Sequence, residues 1–238
     1  MAGYRRFFIG SIADVNVIEG EEFRHAVNVL RVKEGEKILL CDNSGYEYLA
    51  VIKKINKKDL VAEVVQKQLN ECECKEDVLL IAGYLKGDKT ELIVQKATEL
   101  GVKKIVVFSS EFSSAYMNDN KLERLNKVSV ESAKQCGRAI APSVVYAKDF
   151  KSALEHGREY TNKLFACEFA NKSDTLLNEM QGSTAIVVGS EGGFSVEEGQ
   201  LATQMGYKTV YLGKRILRAE TACIALTAIA MNALGELK

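Results

Sequence analysis

Residues 185–222 read AIVVGSEGGFSVEEGQLATQMGYKTVYLGKRILRAETA, and the fold of the chain can be inferred outward from them. They hold two short apolar runs, residues 185–188 and 209–212, and each run leads into a loop that contains glycine. A helix-like segment that starts at Ser195 separates the two runs. In α/β proteins, loops that leave the same end of neighbouring strands build the small-molecule pocket. We therefore expect the two loops to share one binding site.

The first loop, GSEGGF at residues 189–194, does not match the familiar phosphate-binding loops. It lacks the Gly-Lys-Ser/Thr of a P-loop and the G-x-G-x-x-G of a dinucleotide fold. The helix after it opens with Ser195 and carries Glu198, a capping box that occupies the free N–H groups and brings negative charge. An anion would be repelled there. The glycines instead leave the backbone open, so main-chain groups are free to bind a flat polar ligand such as adenine.

The second loop mixes aliphatic and polar side chains. Leu212, Ile216 and Leu217 lie beside Arg218 and Glu220 in the sequence. This mixture suits an aromatic base held between aliphatic groups, with a few polar groups that set its orientation. The alternative for each loop is purely structural, a Gly-Gly turn in the first and a helix start in the second. The occurrence of both at strand ends favours a binding site.

The composition is that of a globular protein with no excess charge. The chain has 238 residues, 47% of them hydrophobic, and a formal net charge of zero. A core of ordinary size is therefore expected, and any basic surface must come from the placement of its charges. Neither a signal-peptide pattern nor an apolar run long enough for a membrane span occurs, so the sequence predicts a soluble, cytoplasmic protein.

Cysteine and histidine usage argues against a metal. Six cysteines occur, most of them inside apolar runs, and reduced, buried thiols are expected. Cys72 and Cys74 are too closely spaced for a zinc knuckle, and no second pair has ligand spacing. With only two histidines in the chain, we expect no structural metal.

The first seventy residues are typical of a small β-barrel. Regularly spaced runs with polar turns between them predict short strands. These strands are expected at residues 5–9, 36–41, 46–55 and 60–66, with one helix at 21–30. A polar stretch at residues 70–77 marks the expected boundary, which divides the chain into domains 1–72 and 73–238.

The rest of the chain alternates strands with helices. Such alternation predicts a mostly parallel sheet flanked by helices. The predicted strands are 78–82, 104–108, 143–146, 163–167, 184–188 and 208–212. The predicted helices are 88–100, 118–135, 149–156, 195–205 and 218–237. The second domain is therefore expected to be α/β.

The motifs VGSEGGFS and YLGKRILRAETA together resemble the signature of SPOUT methyltransferases of the RsmE type. These are bacterial 16S rRNA (uracil-N3)-methyltransferases that use S-adenosylmethionine. Further blocks resemble the family in the same order, namely RFF at 6–8, HAVNVLRV at 25–32, KTELIVQKATELGV at 89–102 and AKQCGR at 133–138, followed by Pro142. One position departs from the pattern, because Ser190 stands where the family usually has proline, and this removes some loop rigidity.

The resemblance implies a fold, an activity and partners. Residues 1–72 would be a PUA-like RNA-binding barrel, and residues 73–238 a SPOUT domain with a deep trefoil knot. The protein would be a homodimeric enzyme that methylates a uracil N3 in 16S ribosomal RNA of the small subunit. Its binding site for S-adenosylmethionine would comprise Gly189, Glu191, Gly192, Gly193, Leu212, Gly213, Ile216, Leu217, Arg218, Thr221 and Ala222.

Methyl transfer is an in-line displacement that needs alignment and exclusion of water, and it requires no metal. Uracil N3 carries a proton that must be removed, and charge develops on the base. Glu191 is the candidate proton acceptor, and Arg218 is the candidate to stabilise a carbonyl oxygen. As alternatives, Glu191 is a loop or helix-terminal charge, and Arg218 forms an ion pair with Glu220 or another carboxylate. Arg218 is the stronger candidate.

RNA would be held by basic residues and presented with an exposed base. The candidate RNA contacts are Arg5, Arg6, His25, Arg31, Lys33, Lys86 and Arg138. As alternatives, the charged residues are solvated surface charges and His25 is a structural histidine. Two other functions remain open, a SPOUT enzyme that acts on tRNA or a ribose 2′-hydroxyl, and a non-catalytic RNA-binding assembly factor.

Overall fold

The computed structural model describes residues 3–110, 117–167 and 179–237. The chain divides into two compact units. The first contains the chain up to Glu73 together with the segment Ala133–Ala141. The second contains Cys74–Ser132 and Pro142–Lys238. The first unit is therefore built from two separate parts of the sequence.

The first unit is a mixed half-barrel where a small barrel was predicted. Its strands are β1 (Arg6–Phe8), β2 (Val15–Glu19), β3 (Lys37–Cys41), β4 (Tyr46–Ile55) and β5 (Asp59–Leu69), in the order β1-β3-β4-β5-β2. β1 pairs with β3 in parallel, and the other pairs are antiparallel. Phe7, Leu40 and Ile52 pack in its core, since alternate residues of each strand face inward.

Strand β2 was not predicted, because its inward face carries a polar residue. Asn16 and Ile18 are buried, whereas Val15 and Val17 are exposed. Asn16 accepts a hydrogen bond from the N–H of Ala13 and donates one to its carbonyl. Burial of this amide costs little free energy because both of its hydrogen bonds are satisfied. It nevertheless places a polar residue on the inner face of the strand and two valines on the outer face, the reverse of the pattern from which strands are predicted.

The helix predicted at residues 21–30 is broken into two forms. An α-helix, α1 (Gly20–Arg24), passes directly into a π-helical turn, His25–Val29. The segment ends at Arg31, whose φ of 54° lies in the left-handed region. Such turns and left-handed non-glycine residues are uncommon and recur at functional sites.

The segment Ala133–Ala141 is attached to the half-barrel by buried charges. The carboxylate of Glu73 accepts a bond from the guanidinium of Arg138 at 2.9 Å and from the N–H groups of Ala139 and Ile140 at 2.8 Å each. Lys134 reaches Glu22 at 2.6 Å. These bonds join positions 65 to 112 residues apart in the chain, which is why sequence periodicity did not assign the segment to this unit.

The second unit is an α/β layer structure, as predicted. Its strands are β6 (Val78–Gly83), β7 (Lys104–Phe108), β8 (Ser143–Ala147), β9 (Asn162–Ala166), β10 (Thr184–Val188) and β11 (Lys208–Val210). They lie in the order β11-β9-β10-β6-β7-β8, and every described pairing is parallel. The helices are α2 (Lys89–Glu99), α3 (Asp119–Cys136), α4 (Phe150–Glu155), α5 (Val196–Gln204) and α6 (Ala219–Ala233).

Helices cover both faces of this sheet. One core layer joins β6 and β10 to α2 and α6, and the other joins the opposite face to α4 and α5. Strands β6 and β10 are buried along their whole length, as expected when a parallel sheet is covered on both sides. The bounds of the elements agree with the prediction to within one residue, except that β11 ends at Val210 instead of 212 and α6 ends at Ala233 instead of 237.

Two further predictions concern the whole chain. Within the described ranges, no helix is long and apolar enough to cross a bilayer. The trefoil knot stays a prediction, because the connection from β9 to β10 runs through residues 168–178, which lie outside the described residues.

Candidate functional site

A cavity of about 610 Å³ lies in the second unit, where β9, β10 and β11 end. It is lined by residues 166–167, 188–194 and most of 210–222, together with Lys89. The carboxyl ends of parallel strands are the usual ligand site of an open α/β sheet, and the volume suits a ligand of nucleoside size. The two loops singled out in the sequence are thus brought together.

The first loop rests on an aromatic cluster. Phe194 is buried with its ring centre 4.5 Å from that of Phe165 and 5.0 Å from that of Phe150. A Cβ atom on Gly189 would lie 2.9 Å from the Phe194 ring, so glycine is required there by close approach. The loop therefore has a firm base under the cavity.

Ser190 ties the same loop to the end of β7. Its hydroxyl lies 3.0 Å from the hydroxyl of Ser110, and both residues are buried. The Ser190 carbonyl also accepts the N–H of Gly193 at 3.0 Å. Any side chain on Gly83 would collide with the Ser190 backbone. A hydrogen bond and tight packing thus restrain the loop at the position where the family pattern has proline.

The capping box predicted for α5 is confirmed. The N–H of Glu198 donates to the Ser195 hydroxyl at 3.2 Å, and the N–H of Ser195 donates to the Glu198 carboxylate at 3.0 Å. The free N–H groups of this helix are thus partly used, and two carboxylates, Glu197 and Glu198, lie in its first turn. This helix start is therefore a poor phosphate site.

Glu191 is paired with a lysine of α2. The Lys89 ammonium donates to its carboxylate at 2.9 Å. Burial acts to raise the pKa of Glu191, but the hydrogen bonds from Lys89 and the Lys86 backbone, with the Lys89 charge, outweigh it and lower the pKa. A carboxylate with a lowered pKa is a weaker base. Lys89, predicted only as part of a helix that resembles the family, is therefore a pocket residue.

The second loop presents cations to the cavity. It leaves β11 through Gly213, whose φ of 101° requires glycine. Lys214, Arg215 and Arg218 line the cavity and are exposed, and within the described residues none of them forms an ion pair. Arg218 is the N-cap residue of α6 and does not pair with Glu220. The alternative that Arg218 is a structural ion-pair partner is therefore not supported by the geometry.

The remaining predicted site residues divide into lining and non-lining positions. Leu212, Leu217 and Ala222 line the cavity and are partly buried, whereas Thr221 does not line it. Ile216 lines it with its side chain 93% exposed. Glu220, which was not predicted as a site residue, also lines the cavity. Its Oε2 atom is buried and has no hydrogen-bond partner among the described residues.

The predicted RNA contacts differ in exposure. Arg31, Lys33 and Lys86 are exposed, and Arg5 is exposed in a long ion pair with Glu36 at 3.7 Å. His25 lies in the π-helical turn, 6.5 Å from the Phe7 ring, and its Nδ1 is buried without a partner in the described chain.

Two of these predicted contacts are largely buried. Arg138 is 2% exposed and bound to Glu73, and Arg6 is bound to Glu47. Both guanidinium groups serve pairs inside the first unit, which leaves little of either group to offer to RNA.

Two sequence profiles match the chain. The profile of an RNA methyltransferase domain matches residues 72–231, and that of an RNA methyltransferase PUA domain matches residues 18–65. The chain belongs to the RNA methyltransferase family. The predicted resemblance is thereby confirmed, as is the division into an N-terminal PUA fold and a methyltransferase fold.

Two relatives of this RNA methyltransferase carry the same name. Ribosomal RNA small subunit methyltransferase E of Bacillus subtilis is 33% identical over 225 residues, which cover 89% of this chain and 88% of that protein. The protein of the same name from Mesomycoplasma hyopneumoniae is 31% identical, covering 93% and 96%.

A solved structure of the same kind is also similar. The crystal structure of ribosomal RNA small subunit methyltransferase E from Neisseria gonorrhoeae, bound to S-adenosyl methionine, is 27% identical and superposes with a TM-score of 0.82 over 96% of this chain and 97% of that chain. Within the described part of this methyltransferase, no group of three or more His, Cys, Asp or Glu side chains is arranged to hold a metal ion.

Proposed function

We propose that the protein uses S-adenosylmethionine to methylate a uracil N3 in 16S ribosomal RNA. One observation carries the proposal: the two signature loops meet in a single cavity at the ends of β10 and β11. Relatives named ribosomal RNA small subunit methyltransferase E, which match nearly the whole chain, support the choice of substrate.

The cavity fits the methyl donor in size and chemistry. Its volume of about 610 Å³ is within the range of cofactor sites. The backbone groups of Gly189, Gly192 and Gly193, which no side chain covers, would bind the edge of the adenine ring. The side chains of Leu212 and Leu217 would pack against the face of that ring.

Arg218 would perform the main electrostatic task. The bound S-adenosylmethionine supplies a methyl group on a positively charged sulfur. Arg218, exposed at the cavity and unpaired in the described chain, would donate hydrogen bonds to a uracil carbonyl oxygen as charge develops. Glu191 would accept the N3 proton, but its bond to Lys89 weakens it as a base. Arg218 therefore carries the larger share of rate enhancement in this proposal.

The first unit would bind the RNA. Residues 1–72 form the proposed RNA-binding domain and residues 73–238 the proposed transferase domain. Arg5, Arg31 and Lys33 of the first unit and Lys86 of the second are exposed and suited to phosphate contacts. The unusual backbone from His25 to Arg31 supports a role for that segment. The enzyme would act in the cytoplasm, as a knotted homodimer, on the small ribosomal subunit.

Arg218→Ala is the direct test of the mechanism. Loss of a group that stabilises developing charge should lower kcat by about 100-fold, a larger change than that in affinity for S-adenosylmethionine or RNA. Arg158→Ala, which removes an exposed arginine far in sequence from both loops, is the control and should keep kcat. Wild-type kcat in Arg218→Ala would contradict the assignment.

The substrate is tested separately. Mass mapping of 16S ribosomal RNA from a strain that lacks the gene should show one uracil without its N3 methyl group. A wild-type protein that does not bind S-adenosylmethionine on titration would instead support a non-catalytic RNA-binding factor. An unchanged 16S ribosomal RNA together with an altered tRNA would support the other enzyme class.

A further inference from the structure

The lining of the cavity carries an excess of positive charge. Six charged side chains line it, four of them cations and two of them carboxylates, namely Lys89, Lys214, Arg215, Arg218, Glu191 and Glu220. The lining thus has a formal excess of two positive charges, in a chain whose formal net charge is zero. Overall composition does not produce this excess, so it comes from the placement of cations at this one site.

S-adenosylmethionine does not account for these cations. At neutral pH the molecule has a positive sulfur, a positive ammonium group and one carboxylate, so its own net charge is positive. Like charges repel, and the repulsion is stronger in a partly enclosed site than in bulk water. The one carboxylate needs one cation, whereas Lys214, Arg215 and Arg218 all lack an ion pair among the described residues. The remaining cations therefore suit a second ligand, and that ligand is an anion.

Lys214 and Arg215 lie at the open rim of the cavity. They belong to the run Gly213–Ile216, every residue of which is exposed, whereas the next residue, Leu217, is partly buried. A guanidinium matches the oxygens of a phosphate with two parallel hydrogen bonds, and a lysine ammonium binds a phosphate as a point charge. A large substrate must approach the cavity from this rim, which places both cations on its path.

Ile216 adds an apolar surface beside the two cations. Its side chain lines the cavity and is nevertheless 93% exposed. Covering so exposed an aliphatic side chain with a ligand removes apolar area from water and is favourable. Sites for single-stranded nucleic acid combine cations that follow the backbone with side chains that pack against the bases. The rim offers both features within three consecutive residues.

We propose that Lys214 and Arg215 bind backbone phosphates next to the target nucleotide of the RNA, and that Ile216 packs against that nucleotide. This assignment rests on the proposed function, because it takes ribosomal RNA as the substrate. It gives the second unit RNA contacts of its own and transfers Ile216 from the predicted cofactor contacts to the substrate. Since phosphate contacts fix the position of a strand without reading its sequence, Lys214 and Arg215 are positioning residues.

The test is the salt dependence of methyl transfer by the double variant Lys214→Gln/Arg215→Gln. The substrate is small ribosomal subunits from a strain that lacks the gene, and kcat/KM is measured at several KCl concentrations. Each phosphate contact to a single strand contributes about 0.7 to the slope of log affinity against log salt, so the double variant should lose about 1.4 of the wild-type slope. Its kcat/KM should be lowered most at low salt.

Lys208→Gln/Arg158→Gln is the matched control, since it removes the same charge from the same unit. Lys208 is exposed at the start of β11, Arg158 is exposed, and neither lines the cavity. This control should keep the wild-type slope. Ile216→Ser, which removes apolar surface but no charge, should lower kcat/KM several-fold and also keep the wild-type slope.

Calorimetric titration with S-adenosylmethionine separates the substrate from the cofactor. The double variant and Ile216→Ser should both bind the methyl donor with wild-type affinity. Weaker binding of the methyl donor by the double variant would show that the two cations hold its carboxylate, and it would overturn the proposal. A wild-type salt slope in the double variant would overturn it as well.

The wild type distinguishes failure of this proposal from failure of the proposed function. A wild type that neither binds S-adenosylmethionine nor methylates the subunits contradicts the proposed function. A wild type that does both, beside a double variant with unchanged kcat/KM and slope, contradicts only the role given to Lys214 and Arg215.

Discussion

The six cysteines show how strongly single residues depend on their surroundings. All six are reduced, but not all of them are buried as predicted. Cys41 and Cys223 are buried, whereas Cys72, within the polar stretch 70–77, is exposed. Burial raises the pKa of Cys41 to about 12 and raises that of Cys223 as well. Because the thiolate is the reactive form, these two thiols are unreactive for two reasons: reagents do not reach them, and they stay protonated.

Alkylation of the native protein at pH 8 should therefore modify Cys72 first and leave Cys41 and Cys223 unmodified. Mass spectrometry of peptides after timed exposure to iodoacetamide measures the order. The same reaction in denaturant is the control, since all six thiols should then react. Native modification of Cys41 at the rate of Cys72 would contradict the burial of the half-barrel core.

The loop at residues 189–194 shows how an element is held by contacts from elsewhere in the chain. Below it, Phe194 is packed in an aromatic cluster, and beside it Ser190 bonds to Ser110, 80 residues earlier. Ser110 follows β7 and Gly83 ends β6, so two strands beneath the cavity position the loop that follows a third. A pocket wall restrained in this way loses little entropy when a ligand binds.

Ser190→Ala should weaken binding of S-adenosylmethionine several-fold and lower the unfolding free energy by about 1 kcal/mol, the usual contribution of a hydrogen bond. Titration and chemical denaturation measure the two effects. Ser129→Ala is the matched control: it also breaks a buried serine bond of the second unit, to the Pro142 carbonyl at 2.7 Å, away from the cavity lining. Equal loss of affinity in both variants would show that Ser190 has no special effect on the loop.

Across the whole molecule, the two units are not two successive pieces of chain. The half-barrel unit includes Ala133–Ala141, which is the end of α3 and the residues that follow it. The second unit resumes at Pro142. Glu73 holds this segment with one guanidinium and two backbone N–H groups. Asn70 adds bonds to Glu47 at 2.6 Å and to the Gly137 carbonyl at 3.0 Å. The first unit is thus completed by residues from the middle of the sequence.

Arg138→Met should destabilise the first unit, because it leaves the buried charge of Glu73 without its cation, a change that costs about 3 kcal/mol. Hydrogen exchange should accelerate in β1, β3 and β4, while affinity for S-adenosylmethionine stays at the wild-type value. Arg158→Met, which breaks only exposed ion pairs, should leave exchange unchanged. Normal exchange with weakened RNA binding in Arg138→Met would instead support the predicted RNA contact.

The amino-acid sequence was sufficient for those features that depend on neighbouring residues. Its hydrophobic periodicity located β7 and β10 to the residue, and its spacing located the capping box of Ser195 and Glu198. It also placed two glycine-bearing loops after two strands. These features are local, since strand period, helix period and capping are set by side chains a few positions apart.

Tertiary structure decided everything that depends on partners distant in the chain. Lys89 meets Glu191 across 102 residues, and Arg138 meets Glu73 across 65. Strand order decided that β9 lies between β10 and β11 and brings Ala166 to the cavity. It is also the packed structure that leaves Glu220 with a buried oxygen facing no protein donor among the described residues. Periodicity tells which side of an element is buried, but it does not tell which residue will be opposite, because that is set by how the elements pack.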